Sequence, residues 1–180
     1  MAVKRGRHFF QNPGPTNIPD RVLRAMDRPT IDFNTPEFLD IREEAHAGLK
    51  RIMKTDQIVL TYAATGHGAW HASTVNLFSP GDHVLVPETG YFSINWGAMA
   101  KELGLNVEIL ANDWRKGVDP AGVEARLRKD TGREIKAVML VQNETSTGVA
   151  HPVAAVRATI HRAGHPARLR INTITSLASL

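Results

Sequence analysis

The chain has 180 residues, of which 42% are hydrophobic and 22% charged, a composition that excludes a disordered tail and predicts one globular domain or most of one. No apolar run approaches the length of a membrane span, and the basic residues near the N-terminus are not followed by an apolar core, so neither a membrane protein nor a secreted one is expected. The absence of cysteine excludes a disulfide framework and thiolate chemistry, and it fits a cytoplasmic protein.

The formal charge of +4 raises the question of a nucleic-acid partner. Asp130 and Glu134 interrupt the main basic cluster, and no aromatic side chain is interleaved with it to stack on bases. A solvated helix face and loop therefore explains this cluster better than a nucleic-acid site does. The cluster comprises Arg126, Arg128, Lys129, Arg133 and Lys136.

The first third of the chain is predicted to contain an arm, a turn and two helices. Met1–Gln11 has the composition of a loose basic arm, and the turn residues of 12–17 exclude regular structure there. Pro19 occupies the first position of a short predicted helix. Pro36–Lys54 carries apolar residues at helical spacing, which predicts an amphipathic helix whose apolar stripe is either core or a subunit contact.

The stretch that follows has the pattern of a strand, a tight turn and a helix start. Gln57–Tyr62 is apolar and β-branched, and it is interpreted as a buried strand or the lead-in to one. Thr65–Gly68 is a turn of small residues, and Ala69–Leu77 carries helix formers. A helix N-terminus after such a turn presents unpaired N–H groups to an anion, for which phosphate is the natural occupant. The turn matches neither GxGxxG nor a P-loop, so an ordinary strand-to-helix turn stays open as an alternative.

Beyond residue 78, short apolar strands alternate with amphipathic helices. Repeated βα units of this size predict an α/β fold of three layers, in which helices cover both faces of a mostly parallel sheet. The predicted strands are His83–Pro87, Asn106–Leu110, Ala137–Val141 and Ala167–Ile171, and the predicted helices are Phe92–Leu103, Asp119–Arg128 and Val153–Ala163.

Ligands of such sheets bind outside the carboxyl ends of the strands, so the loops there are the candidates for a functional site. All of these loops are rich in small polar residues. They are Thr65–Gly68, Thr89–Phe92, Asn143–Gly148 and Asn172–Ser176.

Several motifs follow one another in an order that resembles the class V aminotransferases, which use pyridoxal phosphate. The likeness spans nearly all of the 180 residues and is to enzymes of the serine–glyoxylate and alanine–glyoxylate type. It implies the large domain of a fold-type I pyridoxal-phosphate transferase. The motifs are NPGPTNIPDRVLRAM, TGHGAW, SPGDHVLVPETGYF, NDWRKGVDP, IKAVMLVQNETSTGV, AGHPA and INTITSL.

The resemblance implies contacts to the cofactor at particular residues. Thr65, Gly66 and His67 match the turn that holds the cofactor phosphate. Phe92 matches an aromatic ring that stacks on the pyridine, and Thr145 matches a hydroxyl residue that bonds its phenolic oxygen. Each has an alternative when it is considered alone: Thr145 caps a turn, Phe92 is a core ring at a helix start, and His67 is a partly exposed turn residue.

The resemblance also implies substrates, partners and domains. Pro13, Gly14 and Asn17 match the lining of the substrate entrance, the substrates being a small amino acid and a 2-oxo acid. Residues 1–35 would form an arm and a short helix, and residues 36–180 part of the large domain, while the family's small C-terminal domain lies beyond Leu180. Similar proteins are homodimers with the site at the subunit boundary, which predicts a homodimer that binds neither nucleic acid nor membrane.

Three features depart from the family pattern. Asn172 stands where the family has an aspartate beneath the pyridine nitrogen, and a neutral amide cannot hold a proton on that nitrogen by charge pairing. Arg168 and Arg170 alternate along a strand that is apolar in similar proteins, so this strand is either an edge or has drifted from its ancestral role. The Schiff-base lysine lies beyond Leu180, so no catalytic residue is assigned within the chain.

Three functions follow as hypotheses. The first is the N-terminal part of a transaminase that exchanges an amino group between serine or alanine and glyoxylate, with the chain as given inactive alone. The second is a non-catalytic module that binds phosphate or cofactor, and the third is a structural remnant. No metal site is predicted, because no third ligand joins the i, i+4 pairs His67/His71 and His161/His165.

Overall fold

The computed structural model of the chain describes residues 12–14 and 16–172, with only the backbone described at Asn172. The chain divides into two compact units, Met1–Tyr62 and Ala63–Leu180. No helix of the described residues is long and apolar enough to cross a membrane.

The first unit contains two helices, α1 over Asp20–Met26 and α2 over Pro36–Met53. Both agree with the sequence prediction, although Pro19 lies one residue before α1 rather than in its first position. Thr35 caps α2, since its hydroxyl accepts a hydrogen bond from the Phe38 amide at 3.4 Å. Neither helix has a buried residue, so the apolar stripe of α2 is not part of a core within the described residues of this unit.

The prediction of a buried strand over Gln57–Tyr62 is wrong. The segment has no regular structure, and the side chains of Ile58, Leu60 and Tyr62 are 84%, 67% and 64% exposed. An apolar, β-branched run shows only that the residues suit a strand. A strand also needs a neighbour to pair its backbone groups, and no strand of the described residues pairs with this segment.

The second unit is built around a parallel sheet. In chain order its elements are α3 (Gly66–Leu77), β1 (His83–Pro87), α4 (Tyr91–Glu102), β2 (Asn106–Leu110), α5 (Pro120–Lys129), β3 (Ile135–Val141), β4 (Asn143–Glu144), β5 (Val149–Ala150), α6 (Val153–Arg162) and β6 (Arg168–Asn172). The sheet has the order β2-β1-β3-β6 with every pair parallel, and β4 and β5 form a separate antiparallel hairpin. The predicted α/β fold is confirmed.

Helices cover both faces of this sheet. Successive residues of β1 and β3 point to opposite faces, as expected for strands buried on both sides. The buried cluster beneath α3 and α4 comprises Trp70, Val84, Val86, Trp96, Ala100, Leu105, Ala137, Met139 and Val141. The cluster beneath α5 and α6 comprises Leu85, Val118, Val123, Leu127, Ile135, Val138, Leu140, Val156, Ile160 and Ala167.

β6 lies at an edge of the sheet and, among the described strands, pairs only with β3. The edge position accounts for Arg168, which is exposed to solvent. It does not account for Arg170, whose Nε atom is buried without a hydrogen-bond partner among the described residues. A buried donor of this kind costs free energy unless it is paired.

Two substitutions test the placement of the core. Replacing Trp96 by alanine is expected to lower the free energy of unfolding by about 3–5 kcal/mol, because this ring is 3% exposed and stacks on Trp70 at a centroid distance of 5.8 Å. Replacing Ile58 by alanine is expected to change it by less than about 0.5 kcal/mol. Urea unfolding followed by far-UV circular dichroism measures both. A loss of about 2 kcal/mol or more at Ile58 would show that Gln57–Tyr62 is a buried strand after all.

Candidate functional site

Two of the candidate loops follow strands of the sheet directly. Thr89–Phe92 follows β1 and begins α4, and Asn143–Gly148 follows β3 and forms the β4–β5 hairpin. Asn172 ends β6, opposite Val141 at the end of β3. All three therefore lie at the carboxyl edge of the sheet, where ligands of parallel sheets bind.

The start of α3 is open. Thr65 is the N-cap residue, and its side chain makes no hydrogen bond to the helix. The first turn is closed by the Gly68 amide, which donates to the Thr65 carbonyl at 2.9 Å. A Cβ atom on Gly68 would lie 2.6 Å from the Ala64 Cβ, so this tight turn requires glycine. Amides at a helix start without a side-chain cap suit an anion.

An aromatic group joins the start of α3 to the start of α4. The ring of His67 lies 4.5 Å from that of Trp70 and 6.2 Å from that of Phe92, measured between centroids. Trp70 contacts Phe92 edge to face at 6.1 Å and stacks on Trp96. Phe92 is half-buried in the first turn of α4, so its ring lies beside the first turn of α3.

A buried carboxylate occupies the start of α4. Glu144 is 1% exposed, and its Oε1 accepts hydrogen bonds from the Phe92 amide at 3.3 Å and the Ser146 hydroxyl at 2.7 Å. Its Oε2 accepts from the Ser93 amide at 3.2 Å. The Ser146 hydroxyl in turn accepts from the Tyr91 amide at 3.0 Å. The first amides of α4 are thus bonded by side chains of the β4–β5 hairpin, unlike those of α3.

Gly90 allows the carboxylate to approach the helix so closely. A Cβ atom at this position would lie 2.5 Å from the Glu144 Cγ and 2.7 Å from the Ser146 Oγ. The hydroxyl of Ser93 completes the turn by accepting from the Thr89 and Gly90 amides at 2.8 and 3.1 Å. Any larger residue than glycine would push the hairpin off the helix.

The structure brings most of the predicted cofactor residues into one region. Thr65, Gly66 and His67 form the start of α3, and Phe92 lies beside it. Thr145 lies in the hairpin turn between the two residues that bond the start of α4, so it is close to the same region.

The remaining predicted residues are not placed in that region. Asn172 has its backbone at the end of β6, and its side chain lies outside the described residues, as do the other residues of the Asn172–Ser176 loop. Pro13 and Gly14 are exposed and Asn17 is half-buried in the first unit, which is described by itself. Their assignment to the substrate entrance stays a prediction.

His151 is a buried group near Glu144 that the sequence did not single out. It is 5% exposed, and its Nδ1 accepts a hydrogen bond from the Val118 amide at 3.0 Å. Its Nε2 has no partner among the described residues. Burial lowers the pKa of His151 below its usual value, against an opposing effect of the Glu144 carboxylate. The imidazole is therefore a neutral side chain. The His151 amide donates to the Gln142 carbonyl at 2.8 Å, which ties the end of the hairpin to its beginning.

The histidine pairs do not form a metal site in the described residues. His165 uses both ring nitrogens, because Nε2 lies 3.1 Å from Asp130 Oδ2 and Nδ1 accepts from the Ala167 amide at 3.1 Å. His67 packs its ring on Trp70. No group of three or more histidine, cysteine, aspartate or glutamate side chains in the described part of the chain could hold an ion.

Comparison with known proteins identifies relatives over the whole chain. It is 40% identical over 183 residues to the serine–glyoxylate aminotransferase of Methylorubrum extorquens, covering 100% of this chain and 46% of that protein. It is 40% identical over 169 residues to the L-aspartate–glyoxylate aminotransferase of Paracoccus denitrificans, covering 93% and 43%. The crystal structure of an alanine–glyoxylate aminotransferase from Nostoc sp. matches with a TM-score of 0.80 at 26% identity, over 95% of this chain and 44% of that one.

The chain thus spans less than half the length of these relatives. The family model described as Aminotransferase class-V matches residues 8–167, which is most of the sequence. This chain belongs to the class V aminotransferase family.

Proposed function

We propose that this chain is the part of a pyridoxal-phosphate transaminase that holds the cofactor. The whole protein would exchange an amino group between a small amino acid, such as serine or alanine, and glyoxylate. The 40% identity to a serine–glyoxylate aminotransferase supports this reaction. The chain spans 46% of that relative, so the reaction is proposed for the whole protein and not for the chain alone.

The single observation that carries the proposal is the open start of α3 next to the ring of Phe92, whose centroid lies 6.2 Å from that of His67. The amides at this helix start would bind the phosphate of the cofactor. The ring of Phe92 would pack on its flat pyridine, and the hydroxyl of Thr145 would bond its phenolic oxygen. Once bound, the cofactor supplies an electron sink for charge that develops on the amino acid.

The residues present fit the binding of this cofactor better than its activation. Asn172 offers an amide where the family has a carboxylate, so it cannot keep the pyridine nitrogen protonated by charge. No lysine stands in the sequence of α3. Lys136 is near the amino end of β3 and bonds Asp82 at 2.5 Å, and Lys101 is in the last turn of α4. We therefore expect the chain alone to bind the cofactor without covalent attachment.

A second candidate function is favoured by Asn172 itself. A chain that keeps the phosphate-binding turn but has lost the carboxylate would serve as a non-catalytic module for phosphate or cofactor, or survive as a structural remnant of the fold. The lack of cysteine supports a cytoplasmic location. The family resemblance supports a homodimer, for which the exposed apolar stripe of α2 is an available surface.

Titration with pyridoxal phosphate separates these functions. The chain is expected to bind the compound saturably in calorimetry and, after borohydride, to carry no stoichiometric lysine adduct by mass spectrometry, because no lysine stands in α3 and the family's Schiff-base lysine is expected beyond Leu180. A stoichiometric adduct on one lysine would contradict the non-covalent expectation. An absence of any binding would favour the structural remnant.

Gly68→Ala tests the phosphate-binding turn. The added methyl group would lie 2.6 Å from the Ala64 Cβ and displace the start of α3. The affinity for pyridoxal phosphate is expected to fall by about 5- to 30-fold, the equivalent of about 1–2 kcal/mol of anion binding at a helix start. Gly48→Ala is the matched control, because its Cβ would meet only the Arg51 guanidinium, at 3.7 Å. Equal affinities in both variants would place the phosphate elsewhere.

Phe92→Leu tests the stacking ring. Loss of the aromatic face is expected to weaken binding of pyridoxal phosphate by about 2- to 10-fold, the usual size of a ring-stacking contribution. Phe78→Leu is a suitable control, since Phe78 is also half-buried against the cluster beneath α3 and α4 but follows the opposite end of α3. If the two variants lose the same affinity, Phe92 acts only through packing.

A further inference from the structure

Two helices begin side by side at the carboxyl edge of the sheet. The rings of His67 and Phe92, from the first turns of α3 and α4, are 6.2 Å apart. Each helix start would attract an anion by its unpaired amides and its dipole. A single bound phosphate therefore has two competing positions, and something must select one.

The described side chains distinguish the two helix starts. The amides of Phe92 and Ser93 donate to Glu144 at 3.3 and 3.2 Å, and that of Tyr91 donates to the Ser146 hydroxyl at 3.0 Å. At α3 the N-cap side chain bonds no helix amide. A negative charge supplied by the chain thus already occupies the start of α4, while the first turn of α3 contains no acidic residue and has no cap from the Thr65 side chain.

We infer that Glu144 is a positioning residue that assigns the phosphate to α3 and fixes the ring of Phe92 for the pyridine. This inference rests on the proposed function. The carboxylate fills the anion position at α4, so an exogenous phosphate is directed to the neighbouring helix. The carboxylate also accepts a hydrogen bond from the Phe92 amide. This bond keeps the first turn of α4, which carries the ring, from fraying.

The carboxylate is held too firmly to leave this position. It is 1% exposed and is also bonded by the Ser146 hydroxyl at 2.7 Å. The Glu144 carbonyl accepts from the Gly148 amide at 2.8 Å, which closes the hairpin behind it. Gly90 leaves no free volume, because a Cβ atom there would lie 2.5 Å from the Glu144 side chain. Such rigid support is what a ring needs to keep a fixed orientation.

Glu144→Gln tests this role with little change of shape. The glutamine side chain has no charge, and one of the two oxygens that accept hydrogen bonds from α4 is replaced by an NH2 group. The first turn of α4 is therefore expected to loosen. Binding of pyridoxal phosphate by calorimetry is expected to weaken by about 2- to 10-fold, the range expected for loss of the ring. In a Phe92→Leu background the same substitution is expected to have no further effect, because the two residues act as one unit. The affinity of the Glu144→Gln variant for inorganic phosphate, which would bind at the start of α3, should not be lower than that of the unaltered chain.

The control is Glu88→Gln, which removes another carboxylate at the same edge. Glu88 bonds the Trp114 indole at 3.1 Å and has no hydrogen bond to α4; its substitution should leave the affinity unchanged. If Glu144→Gln binds pyridoxal phosphate as tightly as the unaltered chain does, the inference is overturned. It is also overturned if Glu144→Gln lowers the affinity equally with Phe92 present and with leucine in its place. If the unaltered chain does not bind pyridoxal phosphate, the proposed function fails instead.

A milder variant covers the case in which Glu144→Gln does not fold, as judged by circular dichroism. Ser146→Ala removes the hydroxyl that joins the Tyr91 amide to the Glu144 carboxylate, while leaving the carboxylate in place. The inference is supported if Ser146→Ala weakens binding of pyridoxal phosphate, by less than is expected for Glu144→Gln, and if this loss disappears when Phe92 is also replaced by leucine. An unchanged affinity, or a loss that persists without the ring, contradicts it.

Discussion

The hydrogen bonds of the Glu144 carboxylate with the start of α4 are the constraint on which the arrangement of the site depends. A carboxylate that is 1% exposed is costly unless donors replace its water. Here the donors are the amides of Phe92 and Ser93 and the hydroxyl and amide of Ser146. The positive end of α4 contributes further. The hairpin and α4 are therefore joined, and α4 carries the ring that contacts α3.

This constraint gives two similar helix starts different properties. Both α3 and α4 begin after a turn and carry a ring in the first turn, His67 and Phe92, and both contribute to the same buried cluster. Glu144 bonds the amides at the start of α4, whereas the side chain of the N-cap residue Thr65 makes no hydrogen bond to α3. A helix N-terminus alone says little about function. Here the uncapped start of α3 lies beside the start of α4, whose amides are already bonded by Glu144, and this difference indicates where an anion would bind.

The sequence predicted the regular elements of the second unit because their signals are local. β1 and β2 have the predicted bounds, and each is a short apolar or alternating run between turn residues. Gln57–Tyr62 has a similar composition, but composition carries no information about a pairing partner. A helix after the Thr65–Gly68 turn was predicted for the same local reason, although α3 begins at Gly66, within that turn, rather than at Ala69.

Glu144 could not be found in this way, because its burial depends on distant residues. It lies 51 and 52 positions from the amides of Ser93 and Phe92 that it bonds. A glutamate between Asn143 and Thr145 has the appearance of a solvated loop residue. One local signal was available: Gly90 precedes a helix and is followed at Ser93 by a hydroxyl side chain, a pattern that marks a capped turn without indicating what approaches it.

Within the described residues, the contacts around the start of α3 and two of the departures from the family pattern lie on different elements of the second unit. The turn at α3, the ring of Phe92 and the hairpin contact one another within residues 65–148, where the sequence keeps the family motifs. Two of the three departures, Asn172 and the arginines Arg168 and Arg170, lie on β6, which joins the rest of the sheet only through its ladder with β3 among the described strands. The buried Nε of Arg170 lacks a hydrogen-bond partner among the described residues, and it lies on this edge strand rather than among the contacts of Glu144 with the start of α4.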